Sequence, residues 1–249
     1  MSRRFDKRTN MFDPNGRINQ IEYALKAIKN SGPALALHFN GGIVVATEKQ
    51  TSSNLLLPPK HGEKTFRLDD HLIVVVSGLT ADANYLIEYM RKICLDYQVT
   101  FGGPMPIEQV AESVCNLKQG YTQFGGQRPF GTSFIFVGWD HHHNYQIYSS
   151  DPSGNMACWR AIAQGSNEEN SNNQLQENFK EDITEDEAKE LAMKVIMQTL
   201  DTNVPDTKRL VLGVLTKDGE KDTVSMRYVG DEEKKVLIDR VNEKNKDDK

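Results

Sequence analysis

Residues 72–77 read Leu-Ile-Val-Val-Val-Ser, and this run constrains the fold more than any other stretch. It is apolar and largely β-branched, which suits a strand. It also lacks the apolar–polar alternation of a half-exposed one, so both faces must be covered. The chain therefore has layers, and the neighbouring segments decide what they are. Pro33 to Phe39 and Ile43 to Glu48 are β-prone runs separated by Asn40-Gly41-Gly42, a hairpin turn. A short run from Lys64 to Leu68 continues the sheet.

Two helices follow. Between Ala81 and Tyr97, the residues Leu86, Met90, Ile93 and Tyr97 recur on one face, and Pro104 and Pro106 start a helix bearing Ile107, Val110, Val114 and Tyr121. A second β block covers Thr132 to about Gln164, with turns at Asp140 to Asn144 and at Asp151-Pro152-Ser153-Gly154. A second helix pair comes next. Its first member, around Asn167 to Gln176, is polar and anchored mainly by Leu175 and Phe179, which reads as a solvated helix of biased composition. The other starts at a capping box of Thr184 and Glu187 and carries Ala188, Leu191, Val195, Ile196 and Leu200. Strands at Arg209–Thr216 and Thr223–Tyr228, joined at Lys217-Asp218-Gly219, lead to a short C-terminal helix and a charged, disordered tail over 242–249. Blocks of strands separated by helix pairs fit stacked layers better than a β-α-β-α alternation does.

The 249 residues form one domain, with no Pro/Gly/Ser-rich linker to divide them. The net charge of −5 argues against a general nucleic-acid or membrane-surface binder, which would carry a basic excess. No run approaches a membrane span, and MSRRFDKRTN at the start lacks a signal peptide's apolar stretch. Cys94, Cys115 and Cys158 are few and widely spaced, which suggests a reducing compartment without disulfides.

Residues 12–28, FDPNGRINQIEYALKAI, give a turn and then a helix. Pro14 presets one dihedral, Asn15-Gly16 tolerates positive φ, and Ile18, Ile21, Leu25 and Ile28 recur at helical spacing. The literal string goes further. F-x-P-x-G-R followed by Q-[IV]-E-Y-A resembles the signature of proteasome alpha subunits. GYTQFGGQRPFGTSFIFVGWD (120–140) resembles them too, as does Asp151-Pro152-Ser153-Gly154-Asn155 more weakly. With SRRFDKRT at the start, these strings look most like the third position of the eukaryotic alpha ring. The resemblance runs from Phe5 to about Val241. It implies an α+β fold, a four-layer αββα sandwich of the N-terminal nucleophile hydrolase type, with an extra N-terminal helix. Residues 1–12 would form a gate tail ahead of a single domain spanning 13–241.

It also implies what the chain does not do. Active relatives use an N-terminal threonine as nucleophile and its own amine as base, assisted by an acidic residue and a lysine. Aligned on that pattern, Glu48 and Lys64 fall at the assisting positions and Gly32 at the nucleophile position. Glycine has no hydroxyl, and residues 1–31 would have to be removed to free an amine. The resemblance thus implies a catalytically silent subunit, with Glu48 and Lys64 as relics and no cofactor. Such a chain joins six other alpha subunits and the beta ring, in cytoplasm and nucleus.

Two roles remain, both implied by the resemblance. Lys64 matches a lysine lining a pocket that receives the C-terminal carboxylate of an activator's tail, and Gly32 and Leu79 match the pocket wall. Phe5-Asp6-Lys7 occupies the place of a Y-D-x gate motif, in which residues matching Asp6, Pro14 and Tyr23 stabilise an open form. Phe5 keeps the ring and lacks the hydroxyl. An active threonine-type hydrolase of the same fold is the competing function, and a free-standing binding module a third. His141-His142-His143 sits at an expected hairpin tip without a cysteine partner and reads as exposed turn residues, not a metal site.

Overall fold

The computed structural model describes residues 10–49, 55, 64–200, 207–219 and 223–247. Helix α1 (Asn19–Lys29) precedes the hairpin β1 (Ala34–Phe39) and β2 (Gly42–Glu48). Strands β3 (Thr65–Asp69) and β4 (Leu72–Gly78) lead to the helix pair α2 (Thr80–Phe101) and α3 (Ile107–Gln123). Then come β5 (Thr132–Asp140), β6 (Asn144–Ser150), β7 (Met156–Trp159) and β8 (Ala161–Gln164). A second helix pair, α4 (Glu168–Asn178) and α5 (Glu185–Thr199), is followed by β9 (Leu210–Lys217), β10 (Val224–Tyr228) and α6 (Asp231–Asp247).

The strands form two antiparallel five-stranded sheets, β10-β9-β2-β1-β8 and β3-β4-β5-β6-β7. Period-2 geometry sorts their side chains into layers. Ala34 and Ala36 of β1, Ile73 and Val75 of β4, and Ile135 and Val137 of β5 meet between the sheets. The alternate residues face outward: Leu72, Val74 and Val76 pack under α2 and α3, and Leu35 and Leu37 under α5. LIVVVS is thus covered on both faces, by helices on one side and the second sheet on the other. The order of layers is αββα, with α1 outside it.

The expected capping box is present, with Thr184 Oγ1 accepting from the Glu187 amide and the Glu187 carboxylate accepting from the Thr184 amide. Leu175 is buried and Phe179 packs against the same core, as the polar helix α4 requires. The C-terminus differs from its sequence reading, because α6 runs through Asp247 and the expected disordered tail is helical over 242–247. Lys and Glu propagate a helix well. Val241 is buried, and Arg240 and Lys244 both reach Glu190 of α5, which holds this end against the domain.

Candidate functional site

The segment Ser31-Gly32-Pro33 lies where α1 ends and β1 begins, buried throughout. Its three consecutive carbonyls are each taken by a different part of the chain. Ser31 O accepts from the Ser166 amide at 2.9 Å, and Pro33 O from the Glu48 amide at 3.1 Å. Gly32 O accepts from Lys64 Nζ at 2.6 Å. Lys64 immediately precedes β3 of the other sheet, so its ammonium ties the two sheets together at this end. The residues aligned with the nucleophile and the lysine are therefore in direct contact. Glu48, at the end of β2, is buried beside them along the backbone, but its carboxylate is committed to Arg209, on a 3-10 turn over Thr207–Arg209. Nothing in the sequence pattern pointed to Arg209.

Leu79 follows β4 at the same end of the sandwich, since the Val76 amide donates to Lys64 O at 2.8 Å. Leu79 precedes the first turn of α2 and is 46% exposed. Gly78 before it has φ +107°, and a Cβ there would sit 2.2 Å from Gly131 O and 3.0 Å from Ile28 Cγ1. Only glycine allows this close approach of β4, β5 and the last turn of α1. Gly32 and Lys64 thus touch, and Leu79 stands one residue beyond the contact with α1.

The GGQRPFG string acquires a physical reason here. Arg128 makes a forked ion pair to Asp82 in the first turn of α2, at 2.5 and 2.8 Å, and Asp82 Oδ2 also accepts from the Gly131 amide at 3.0 Å. The Arg128 bonds hold the Asp82 carboxyl below its ordinary value, against a smaller opposing effect of burial. A cation, a helix start and a strand start are locked together next to Leu79. Asp82 went unnoticed in the sequence because it lies 46 residues from its partner.

The turn before α1 is held by Asp13, whose Oδ1 accepts from the amides of Asn15 and Arg17 at 2.8 and 2.9 Å. Gly16 adopts φ +76°. Pro14 and Tyr23 are both exposed, one on this turn and one on α1. Phe5 and Asp6 lie outside the described residues. Of the apolar stripe of α1 only Ile28 is buried; Ile18, Ile21 and Leu25 are half-covered, and Phe12 is 65% exposed. His141, His142 and His143 are exposed at the β5–β6 tip, where the amides of His142 and His143 donate to Asp140 Oδ1 at 2.9 Å. No group of three or more His, Cys, Asp or Glu that could hold a metal occurs among the described residues. No helix among them is long and apolar enough to cross a membrane.

Residues 28–215 match the family model described as proteasome subunit, and residues 5–27 match the N-terminal signature of A-type proteasome subunits. The chain is 46% identical over 212 residues to the alpha type-4-A proteasome subunit of Arabidopsis thaliana, covering 85% of each chain. It is 43% identical over 238 residues to a probable alpha type-3 proteasome subunit of Schizosaccharomyces pombe, covering 95% of this chain and 96% of that one. The alpha type-4 proteasome subunit of Petunia hybrida is 44% identical over 212 residues, 85% of each. With a two-sheet αββα sandwich and a helix ahead of the first strand, the chain belongs to the proteasome subunit family, as a member of the alpha type.

Proposed function

We propose that this chain is a catalytically silent member of the alpha ring of the 20S proteasome core particle, at its third position. It scaffolds the ring with six other alpha subunits, stacks on the beta ring, contributes its N-terminal tail to the gate, and docks the C-terminal tails of activators or the regulatory particle. Its setting is ubiquitin-dependent protein degradation in cytoplasm and nucleus, without a cofactor. The observation that carries silence is Gly32 itself. It has no hydroxyl, it lies two residues past the C-cap of α1, and its amide is part of a continuous buried backbone whose carbonyl is bound by Lys64. A threonine hydrolase needs the side-chain oxygen and a free α-amine at this point.

Docking is supported by the same contact. Lys64 places a cation at a half-buried position with Leu79 exposed nearby, and an ammonium has three donors, so a tail carboxylate can share it with Gly32 O. Ring assembly is supported by α1, whose apolar stripe is only half-covered by its own chain.

Mass spectrometry of the native particle tests assembly: co-purification with other alpha and beta subunits is expected, and a monomer would refute it. Gly32→Thr, in particles whose beta sites are blocked, is expected to create no peptidase, because the preceding chain still caps the amine. New activity from that change would refute silence.

A further inference from the structure

We infer that Gly165 is a positioning residue of the Lys64 pocket: it lets the Gly32 carbonyl sit where it holds the Lys64 ammonium ready for a tail carboxylate. The inference rests on the docking reading above. Gly165 follows β8 with φ +99°, a region L side chains rarely adopt, and is buried. A Cβ on it would stand 2.7 Å from Gly32 O, 3.2 Å from Gly32 C and 3.2 Å from Ser31 O. All three are backbone atoms of one segment, so no flexible side chain can swing aside.

That segment has little freedom to retreat. Ser31 O is bound by the Ser166 amide, the Ser31 amide donates to Ile28 O at 2.9 Å, and Pro33 O accepts from the Glu48 amide. Ala34 pairs with Gln164 in the β1–β8 ladder. A side chain at 165 must therefore push on the Gly32 carbonyl or break the loop's own bond to Ser31. The Gly32 carbonyl oxygen is the atom nearest the added methyl, so the push falls on the acceptor that binds Lys64 Nζ at 2.6 Å. A lysine side chain carries several rotatable bonds, and the carbonyl anchor removes that freedom before a ligand arrives. A ligand then meets a preorganised cation.

The test uses intact particles carrying the variant chain. A short peptide with a photoreactive penultimate residue is made with a free C-terminal carboxylate and as the C-terminal carboxamide. Cross-linking to this chain is titrated and read by mass spectrometry. Wild-type particles are expected to prefer the carboxylate, and Lys64→Ala to abolish the preference. Gly165→Ala is expected to weaken the carboxylate peptide about tenfold and leave the carboxamide peptide unchanged, with particle mass intact. If wild type and Lys64→Ala behave as stated but Gly165→Ala keeps the full preference, this inference is overturned and the docking reading survives. If wild type shows no preference at this chain, both fall. Should Gly165→Ala fail to assemble, trace labelling of wild-type particles by an amine reagent decides. Lys64 is expected to react several-fold more slowly than Lys29, whose amine is largely exposed and paired with Glu168. Equal rates would overturn the inference.

Discussion

Lys118 of α3 is wholly buried, and replacing it with methionine gives a sharp test of how α3 packs on its sheet. Its Nζ donates to Thr132 O and to Ser150 Oγ, both at 3.0 Å, and lies 4.5 Å from the centroid of the Phe134 ring. It makes no ion pair among the described residues. Burial pulls its pKa down from 10.5 to about 7, against a weaker upward pull from Cys115 and Asp151. The sign follows from proton binding. Between pH 7 and 10.5 the unfolded chain keeps the lysine protonated while the native chain does not, so native stability rises with pH across that window. At about 1.4 kcal/mol per unit, the penalty for the buried lysine is about 4 kcal/mol at pH 7 and about 2 kcal/mol less at pH 9. Methionine removes the penalty but leaves Thr132 O and Ser150 Oγ without their donor, at about 1–3 kcal/mol for each group. Near pH 7 these effects offset, and Lys118→Met is expected to lie within about 2 kcal/mol of wild type. At pH 9 the variant loses about 2 kcal/mol relative to wild type, because only wild type gains. Urea unfolding of both proteins, followed by tryptophan fluorescence at the two pH values, measures the difference, and groups common to both cancel. Parallel stability profiles would refute the burial argument.

Asp82→Ala is expected to destabilise by about 1–3 kcal/mol, because it strands the Gly131 amide as well as Arg128. Arg128→Ala is expected to lose less, since the guanidinium is largely exposed and Asp82 keeps its bond to Gly131. Equal losses in denaturant unfolding would contradict the ordering. Asn172 uses both ends of its amide on Ala163, accepting from its N–H at 2.8 Å and donating to its C=O at 3.0 Å, on the open edge of β8. Asn172→Leu leaves that edge unpaired and is expected to raise thioflavin-detected aggregation of the isolated chain; unchanged aggregation would show that the edge needs no cover. Deleting residues 2–9 is expected to raise basal hydrolysis of small peptides by intact particles without activator, and wild-type rates would mean the tail is no gate.

The layers were legible because periodicity records burial directly. LIVVVS has no polar face, the stripes of α2, α3 and α5 recur at helical spacing, and the Thr184–Glu187 box marks a helix start within the chain's own neighbourhood. The polar composition of α4 indicates only a solvated helix, whereas Asn172 and Asn167 bind backbone of β8 and of the end of α5. Side-chain amides that substitute for a missing strand leave no periodic trace. The length of α6 escapes the sequence for a related reason. Composition alone made 242–249 look unstructured, but the partner that stabilises it, Glu190, is contributed by another helix. At the site, Gly32, Lys64 and Glu48 could be placed by resemblance to a family pattern. Arg209, Asp82 and Gly165 could not, because each acts through a contact with a residue far away in the sequence.

Those residues support the proposal that the chain is catalytically silent. Lys64 spends a hydrogen bond on the Gly32 carbonyl, and Glu48 spends its carboxylate on Arg209. A hydroxyl introduced at position 32 would therefore stand among groups already engaged with other partners, on a backbone amide that continues from α1. The proposed docking role draws on the same contact, since the Gly32 carbonyl fixes the direction of the Lys64 ammonium on one side. In the proposed function, silence and docking draw on one geometry. A variant that freed Lys64 from Gly32 is expected to weaken binding of a tail carboxylate without creating peptidase activity.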